Sequence, residues 1–190
     1  MRIRELSGWD HVEFQCLPAE LHNTPDRIPG EVRRKIDSEH GKFARIFVAY
    51  ADCGTGGLLD RALEGTGVER IPGAHCYEFY AGSEVFSGLA DEEPGSFYLT
   101  DFLTRHFERL VVRGLGLDRR PQLMPVYFGN YRRVVYLAQS RSRELRELAR
   151  RHAEFLGLDY HYHYCGDEPL AAVLSPRLRD PLAEERACPG

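Results

Sequence analysis

The sequence predicts an α/β domain whose mainly parallel sheet is flanked by helices, and three observations carry that prediction. Short apolar runs rich in β-branched residues alternate with stretches of helical period. The most apolar of these runs lack polar alternation, as expected of strands covered on both faces. A chain of 190 residues has room for one such domain with a sizeable core, and not for two. Together they describe a Rossmann-like sandwich of three layers over residues 1–174, followed by a loose C-terminal tail at 175–190.

Each element has its own justification. Residues 11–17 (HVEFQCL) alternate, with Val12, Phe14 and Cys16 on one face, and read as a strand near an edge. Residues 45–51 (RIFVAYA) are nearly all apolar, read as a central strand, and run into Asp52-Cys53-Gly54-Thr55-Gly56-Gly57. A short helix fits 58–64, stopped by Gly65 and Gly67. A third strand fits 68–71, ended by Pro72-Gly73, with a helical turn beginning near Ala74. Leu99, Phe102, Leu103, Phe107 and Leu110 recur at three and four residues, which predicts an amphipathic helix over 98–112, closed by Gly114. After a long connection up to Pro125, residues 133–138 (RVVYLA) read as the fourth strand. Residues 142–156 form a helix with Leu145, Leu148, Ala149, His152 and Leu156 inward and arginines outward. A fifth strand, 159–164 (DYHYHY), has aromatic residues on one side and histidines on the other, as at an edge, and a last helix covers 168–174.

Composition narrows the function. With 25 basic against 29 acidic residues the formal charge is −4, so no basic surplus advertises nucleic acid. No apolar run approaches the ~20 residues needed to cross a bilayer. The opening MRIRELSGWDH lacks the apolar stretch of a secretory signal, so the expected address is cytoplasmic and reducing. The five cysteines are then expected as thiols or metal ligands rather than disulfides. The expected partner is a small molecule or a metal ion, not nucleic acid or a membrane; the oligomeric state does not follow from the sequence.

Ligands of open parallel sheets bind at the carboxyl ends of the strands. Cys16 closes the first expected strand, Cys53 follows the second, His75-Cys76 follow the third, and His22 lies a few residues beyond Cys16. Thiolates and imidazoles from separate strand ends suit a Zn²⁺ or iron site, closed or with a position open for water or substrate. The expected ligand set is Cys16, Cys53, Cys76, His22 and His75. Each cysteine alone reads as well as a small buried core residue. Cys76, near the start of the expected helical turn, is the first choice for a reactive thiol, because unpaired N–H groups there lower a thiol pKa. Asp52, Glu78 and Asp101 are candidates to orient ligands or move protons. His161, His163 and Cys165 share one side of the fifth strand and make a weaker ligand row, and Cys188 reads as an exposed free thiol.

The glycine loop has a second reading. Glycines between a buried strand and a helix let N–H groups approach a phosphate or nucleoside, and Gly54, Thr55, Gly56 and Gly57 would then hold a cofactor. The loop superficially resembles the first motif of methyltransferases that use S-adenosylmethionine, but Pro72-Gly73-Ala74-His75 stands where that resemblance implies an acidic residue for the ribose. No GxSxG, HExxH or Walker pattern occurs.

Four stretches, Cys16–Pro25 (CLPAELHNTP), Tyr50–Gly54 (YADCG), His75–Phe79 (HCYEF) and Pro94–Phe102 (PGSFYLTDF), together resemble a bacterial and archaeal family known as a domain of unknown function, the DUF1638 type, over roughly residues 11–174. The resemblance implies no established activity, and at most a role auxiliary to one-carbon or methyl-transfer metabolism. Three alternatives stay open on these residues: an enzyme using a metal or thiol at the rim, a metal- or cofactor-handling protein without chemistry, and a methyltransferase using the glycine loop.

Overall fold

A computed structural model describes residues 9–178. Its scaffold is a three-stranded parallel sheet, β3 (Ser96–Thr100), β4 (Arg133–Ala138) and β5 (Asp159–Tyr164), in the order β3-β4-β5. Ser96 pairs with Arg133 and Arg133 with Asp159, so the strands run in step. Alternation along β3 and β4 sends side chains to two different cores. Leu99, Val134, Tyr136 and Ala138 face α5 (Asp101–Phe107) and α7 (Arg143–Leu156), where they meet Phe107, Leu145, Ala149 and Ala153. Tyr98, Val135 and Leu137 face the other side, toward Ala81 and Leu89 of α3 (Tyr77–Ala81) and α4 (Ser83–Glu92). The fold is therefore α/β with parallel strands and helices on both faces.

Local sequence fixes these helices. Ser142 Oγ accepts the Leu145 N–H at 3.2 Å to cap α7, and Gly157, at φ +70°, ends it in the left-handed conformation that suits glycine. The inward face expected for α7 is found, with His152 stacked on Phe107 at 4.0 Å and hydrogen-bonded to the Thr104 carbonyl. Not all its arginines are simply solvated. Arg150 pairs with Glu147 and Glu154, but Arg146 lies over the Tyr162 ring, as Arg141, just ahead of the helix, lies over Tyr164. β5 is an edge strand, its tyrosines packed on the larger core.

Two further parallel strands, β1 (Phe47–Val48) and β2 (Glu69–Arg70), form a separate sheet, joined by α2 (Leu58–Leu63). The run at 45–51 is thus a two-residue strand rather than a buried central one. Ile46, Phe47 and Val48 are only half-buried, since among the described residues just one strand pairs with it. The strand expected at 11–17 does not form. Val12 and Phe14 do turn inward onto Trp9, Ala51 and Ile71, but no neighbour offers ladder hydrogen bonds, and Cys16 faces solvent. Helix α1 (Ile28–Glu39) buries Ile28, Val32 and Ile36 against Leu59 and Leu63, and α6 (Met124–Phe128) sits in the long connection before β4.

The helix expected over 98–112 is a strand and a helix in succession. Residues 96–100 form β3, and α5 starts at Asp101, capped by Thr100 Oγ1. From Glu108 to Arg113 the helix widens to a π-turn, in which Leu110, Val111 and Val112 are all buried. Asn23 donates to the Leu110 carbonyl at 3.0 Å, and Arg109 pairs with Glu20. A Cβ at Gly114 would collide with both the Leu110 oxygen and the Asn23 amide, so glycine is required there. At the other end, α8 (Glu168–Leu174) continues into a turn in which Arg177 and Leu178 donate N–H groups to the Leu174 carbonyl. The Leu178 carbonyl in turn meets His11 at 2.8 Å. Residues 175–178 of the expected tail are therefore packed; the rest of it, with Cys188, lies outside the described residues. No helix among them is long and apolar enough to cross a membrane.

Asp101, expected to serve the thiol rim, belongs to the other sheet. Its carboxylate is buried and accepts hydrogen bonds from Tyr136 Oη (2.7 Å), the Gln139 N–H (3.0 Å) and Ser140 Oγ (2.5 Å), while its own N–H donates to Gln139 Oε1 (2.8 Å). It ties the end of β3 to the end of β4. Asp101→Ala leaves these donors unpaired and should cost about 3 kcal/mol in urea denaturation. A loss below about 1 kcal/mol would mean that water replaces the carboxylate.

Candidate functional site

The site lies where β1 and β2 end. Past the strands the backbones keep pairing: the Ile71 N–H donates to the Val48 carbonyl, the Asp52 N–H to Gly73 (3.2 Å) and the Cys53 N–H to Ala74 (2.9 Å). This brings Cys53 opposite the start of α3, where Cys76 stands at the N-cap. The two sulfurs are 2.8 Å apart, closer than non-bonded sulfur atoms ordinarily stand and wider than the ~2.05 Å of a disulfide. Cys53 has φ +46° and is the one non-glycine residue in the left-handed region among those described. Such a backbone costs about 1 kcal/mol or more and is kept where the surroundings impose it.

The Cys53 and Cys76 sulfurs adjoin, with either thiol able to donate to the other, and the Ala51 N–H donates to Cys76 Sγ at 3.4 Å. The Cys76 thiol above all, and then His22, hold the Cys53 thiol down to about 5 against the opposing effect of burial. Cys76 is pushed the other way, by its hydrogen bond to Cys53 and by burial, although the Ala51 N–H lies 3.4 Å from its sulfur. The two thiols therefore titrate as a pair that favours a single negative charge. Sequence reasoning favours Cys76 as the reactive thiol; its sulfur accepts the Ala51 N–H, while the surrounding charges favour ionisation at Cys53.

His22 sits on a 3₁₀ turn, Ala19–Asn23, with Nδ1 3.1 Å from the Ala19 carbonyl. Its ring stacks on Tyr50 at 5.1 Å, and the Tyr50 hydroxyl lies 2.8 Å from Nε2. The hydrogen bond to Cys53 raises the imidazole above its ordinary value, partly offset by burial and helped by Ala19. Burial and the charge on the sulfurs push the Tyr50 and Tyr77 hydroxyls upward, so both stay protonated. Arg70, clamped to Asp60 by two hydrogen bonds (2.6 and 2.7 Å), adds positive potential at both sulfurs. Tyr50, Tyr77 and Arg70 are absent from the sequence-derived set. Tyr50 stands three residues before Cys53, but an aromatic residue in an apolar run reads as packing.

The other expected residues are placed elsewhere. Cys16 and His75 are exposed, and the His75 ring lies 6.3 Å from Phe86. Glu78 accepts a hydrogen bond from Ser83 Oγ (2.7 Å) and lies beside Gly73. Cys165 packs with Tyr98 and Leu137 on the far sheet, where burial pushes its thiol up to about 11. Asp52 closes the glycine loop on itself: its carboxylate accepts from Thr55 Oγ1 (2.6 Å), the Gly57 N–H (2.8 Å) and the Gly56 N–H (3.0 Å). Those bonds hold Asp52 below the usual carboxylate range. They also occupy N–H groups that the cofactor reading of Gly54, Thr55, Gly56 and Gly57 assigns to a ligand. Among the described residues no group of three or more His, Cys, Asp or Glu is arranged to hold a metal ion. Two thiolates on one tetrahedral zinc, each at ~2.3 Å, would stand about 3.8 Å apart, well beyond the separation found here.

No curated protein and no solved structure matches the chain. Residues 16–173 match the family described as "Protein of unknown function (DUF1638)", a span that takes in His22, Tyr50, Cys53 and Cys76 as well as the three-stranded sheet, and the chain belongs to that family.

Proposed function

We propose that the rim of the two-stranded sheet is a thiol-dependent site in which Cys53 carries the reactive thiolate. The observation that carries this reading is the 2.8 Å approach of the two sulfurs, with the nearby His22 imidazole favouring charge on Cys53. Cys76 supplies a proton donor that water cannot displace, and His22 balances the charge. Tyr50 holds the imidazole in place by stacking and by its hydroxyl. A half-buried thiolate so held is a soft nucleophile, suited to a soft electrophile such as an alkyl carbon or a sulfur atom.

Alkylation by iodoacetamide, read at Cys53 by peptide mapping, tests the charge state. The groups around this sulfur are Cys76, His22, Tyr50, Tyr77 and Arg70, and Cys76 above all, then His22, against the effect of burial, put the Cys53 thiol at about 5. Because the thiolate is the reacting form, the rate should be nearly level from pH 8 down to about 6 and fall as pH drops through about 5. A midpoint near ~8.5, the value of an unperturbed cysteine, would sink the proposal.

Two substitutions separate the contributions. Cys76→Ala removes the stronger donor and should move the midpoint upward; His22→Gln should move it in the same direction by less. Equal midpoints in wild type and both variants would show that neither group holds the charge.

A further inference from the structure

The thiolate reading leaves the electrophile open, and the second sulfur narrows it. A nucleophile that only alkylates or acylates needs a base or a charge partner, which His22 supplies. It has no use for another thiol 2.8 Å away. A thiol in that position is what disulfide exchange requires, because the first step leaves a mixed disulfide that a neighbouring sulfur must resolve. To close a bond of ~2.05 Å the sulfurs need approach by only about 0.8 Å. Backbone pairing of Asp52 with Gly73 and of Cys53 with Ala74 holds both in register meanwhile.

We infer that Cys53 and Cys76 are a redox pair that exchanges with a low-molecular-weight disulfide, Cys53 attacking and Cys76 resolving. The inference rests on the thiol-dependent reading above. In the first step the Cys53 thiolate attacks one sulfur of R–S–S–R′, forming Cys53–S–S–R and expelling R′–S⁻, which takes a proton from solvent. In the second, Cys76 attacks the Cys53 sulfur and R–S⁻ departs with the Cys76 proton. The protein is oxidised by two electrons to the Cys53–Cys76 disulfide, and the substrate is reduced to two thiols.

One backbone donor, the Ala51 N–H at 3.4 Å, stands ready for the charge that Cys76 carries when a thiol reverses the reaction. Both cysteines are half-buried, while His22 and Gly54 are exposed, so a disulfide approaches over the glycine loop and meets Cys53. Both sulfurs are half-buried, so a small molecule and not a folded protein is assigned.

The test treats the reduced full-length protein with bis(2-hydroxyethyl) disulfide near pH 7, quenches with acid and maps the peptides by mass spectrometry. Wild type should accumulate the Cys53–Cys76 disulfide with no retained hydroxyethyl adduct on either residue, and dithiothreitol should restore both thiols. Cys76→Ser keeps a hydroxyl donor beside Cys53 and should stop at the mixed disulfide on Cys53. Cys53→Ser should form an adduct on Cys76 at least about tenfold more slowly than wild type reacts at Cys53, because a protonated thiol is a poor nucleophile. If wild type retains the Cys53 adduct, as Cys76→Ser does, the redox pair is overturned while the thiolate at Cys53 stands. If Cys53 reacts with neither the disulfide nor iodoacetamide at pH 6, both fall together. The wild-type product distribution decides the matter without any variant.

Discussion

Two sulfur atoms 2.8 Å apart have to be held there against their own repulsion and against the pull of water on a thiolate, and the backbone pairing of residues 48–53 with 71–74 does the holding. The regular strands are two residues each, too short to be a stable sheet alone. What extends them is the irregular ladder beyond, through Gly73 and Ala74 to the Cys53 N–H. The left-handed backbone at Cys53 follows from that pairing, since the chain must leave the ladder at once to enter the Asp52-closed loop. Strain at this residue is thus the local cost of placing a sulfur where a second sulfur can reach it.

The three-stranded sheet contributes by being rigid. It is packed on both faces, and its carboxyl edge is locked by Asp101. The helix α3, which delivers Cys76, spans the two parts of the molecule. Phe79 packs with Ala51 and Ile71 beneath the thiols, while Ala81 packs with Val135 and Leu137 on the larger sheet. A tilted ring contact of Tyr77 with Tyr98, centroids 5.3 Å apart, adds to that attachment. Only five residues long, the helix gains its position from what it packs against and not from its own propensity.

Much of this was legible in the sequence, for physical reasons that differ by element. β4 and α7 announce themselves because residues 134–138 (VVYLA) form an apolar run and 142–156 has a strong inward stripe between a serine cap and a glycine stop. The rim placement of Cys53 and Cys76 followed from parallel topology alone. Ser96–Thr100 was hidden, because Leu99, Phe102 and Leu103 continue a helical period across a strand-to-helix junction, so one pattern covers two elements. Residues 11–17 show the reverse: alternation reports which side chains turn inward, not whether a partner strand exists. The 2.8 Å approach of the two sulfurs was not readable at all. It depends on a contact across 23 residues and on backbone pairing beyond the regular strands.

The contact of Asn23 with the Leu110 carbonyl, admitted by Gly114, joins residues 87 apart in sequence. Asn23 is next to His22, and Glu20 on the same turn is tied to Arg109, so the imidazole is anchored to a π-turn of a helix that belongs to the other sheet. On the thiol chemistry proposed above, lesions at Gly114 or Asn23 would therefore group with those at Cys53 itself in a screen for its loss. A map of such lesions drawn on the chain would look scattered, and drawn on the fold would trace one strut.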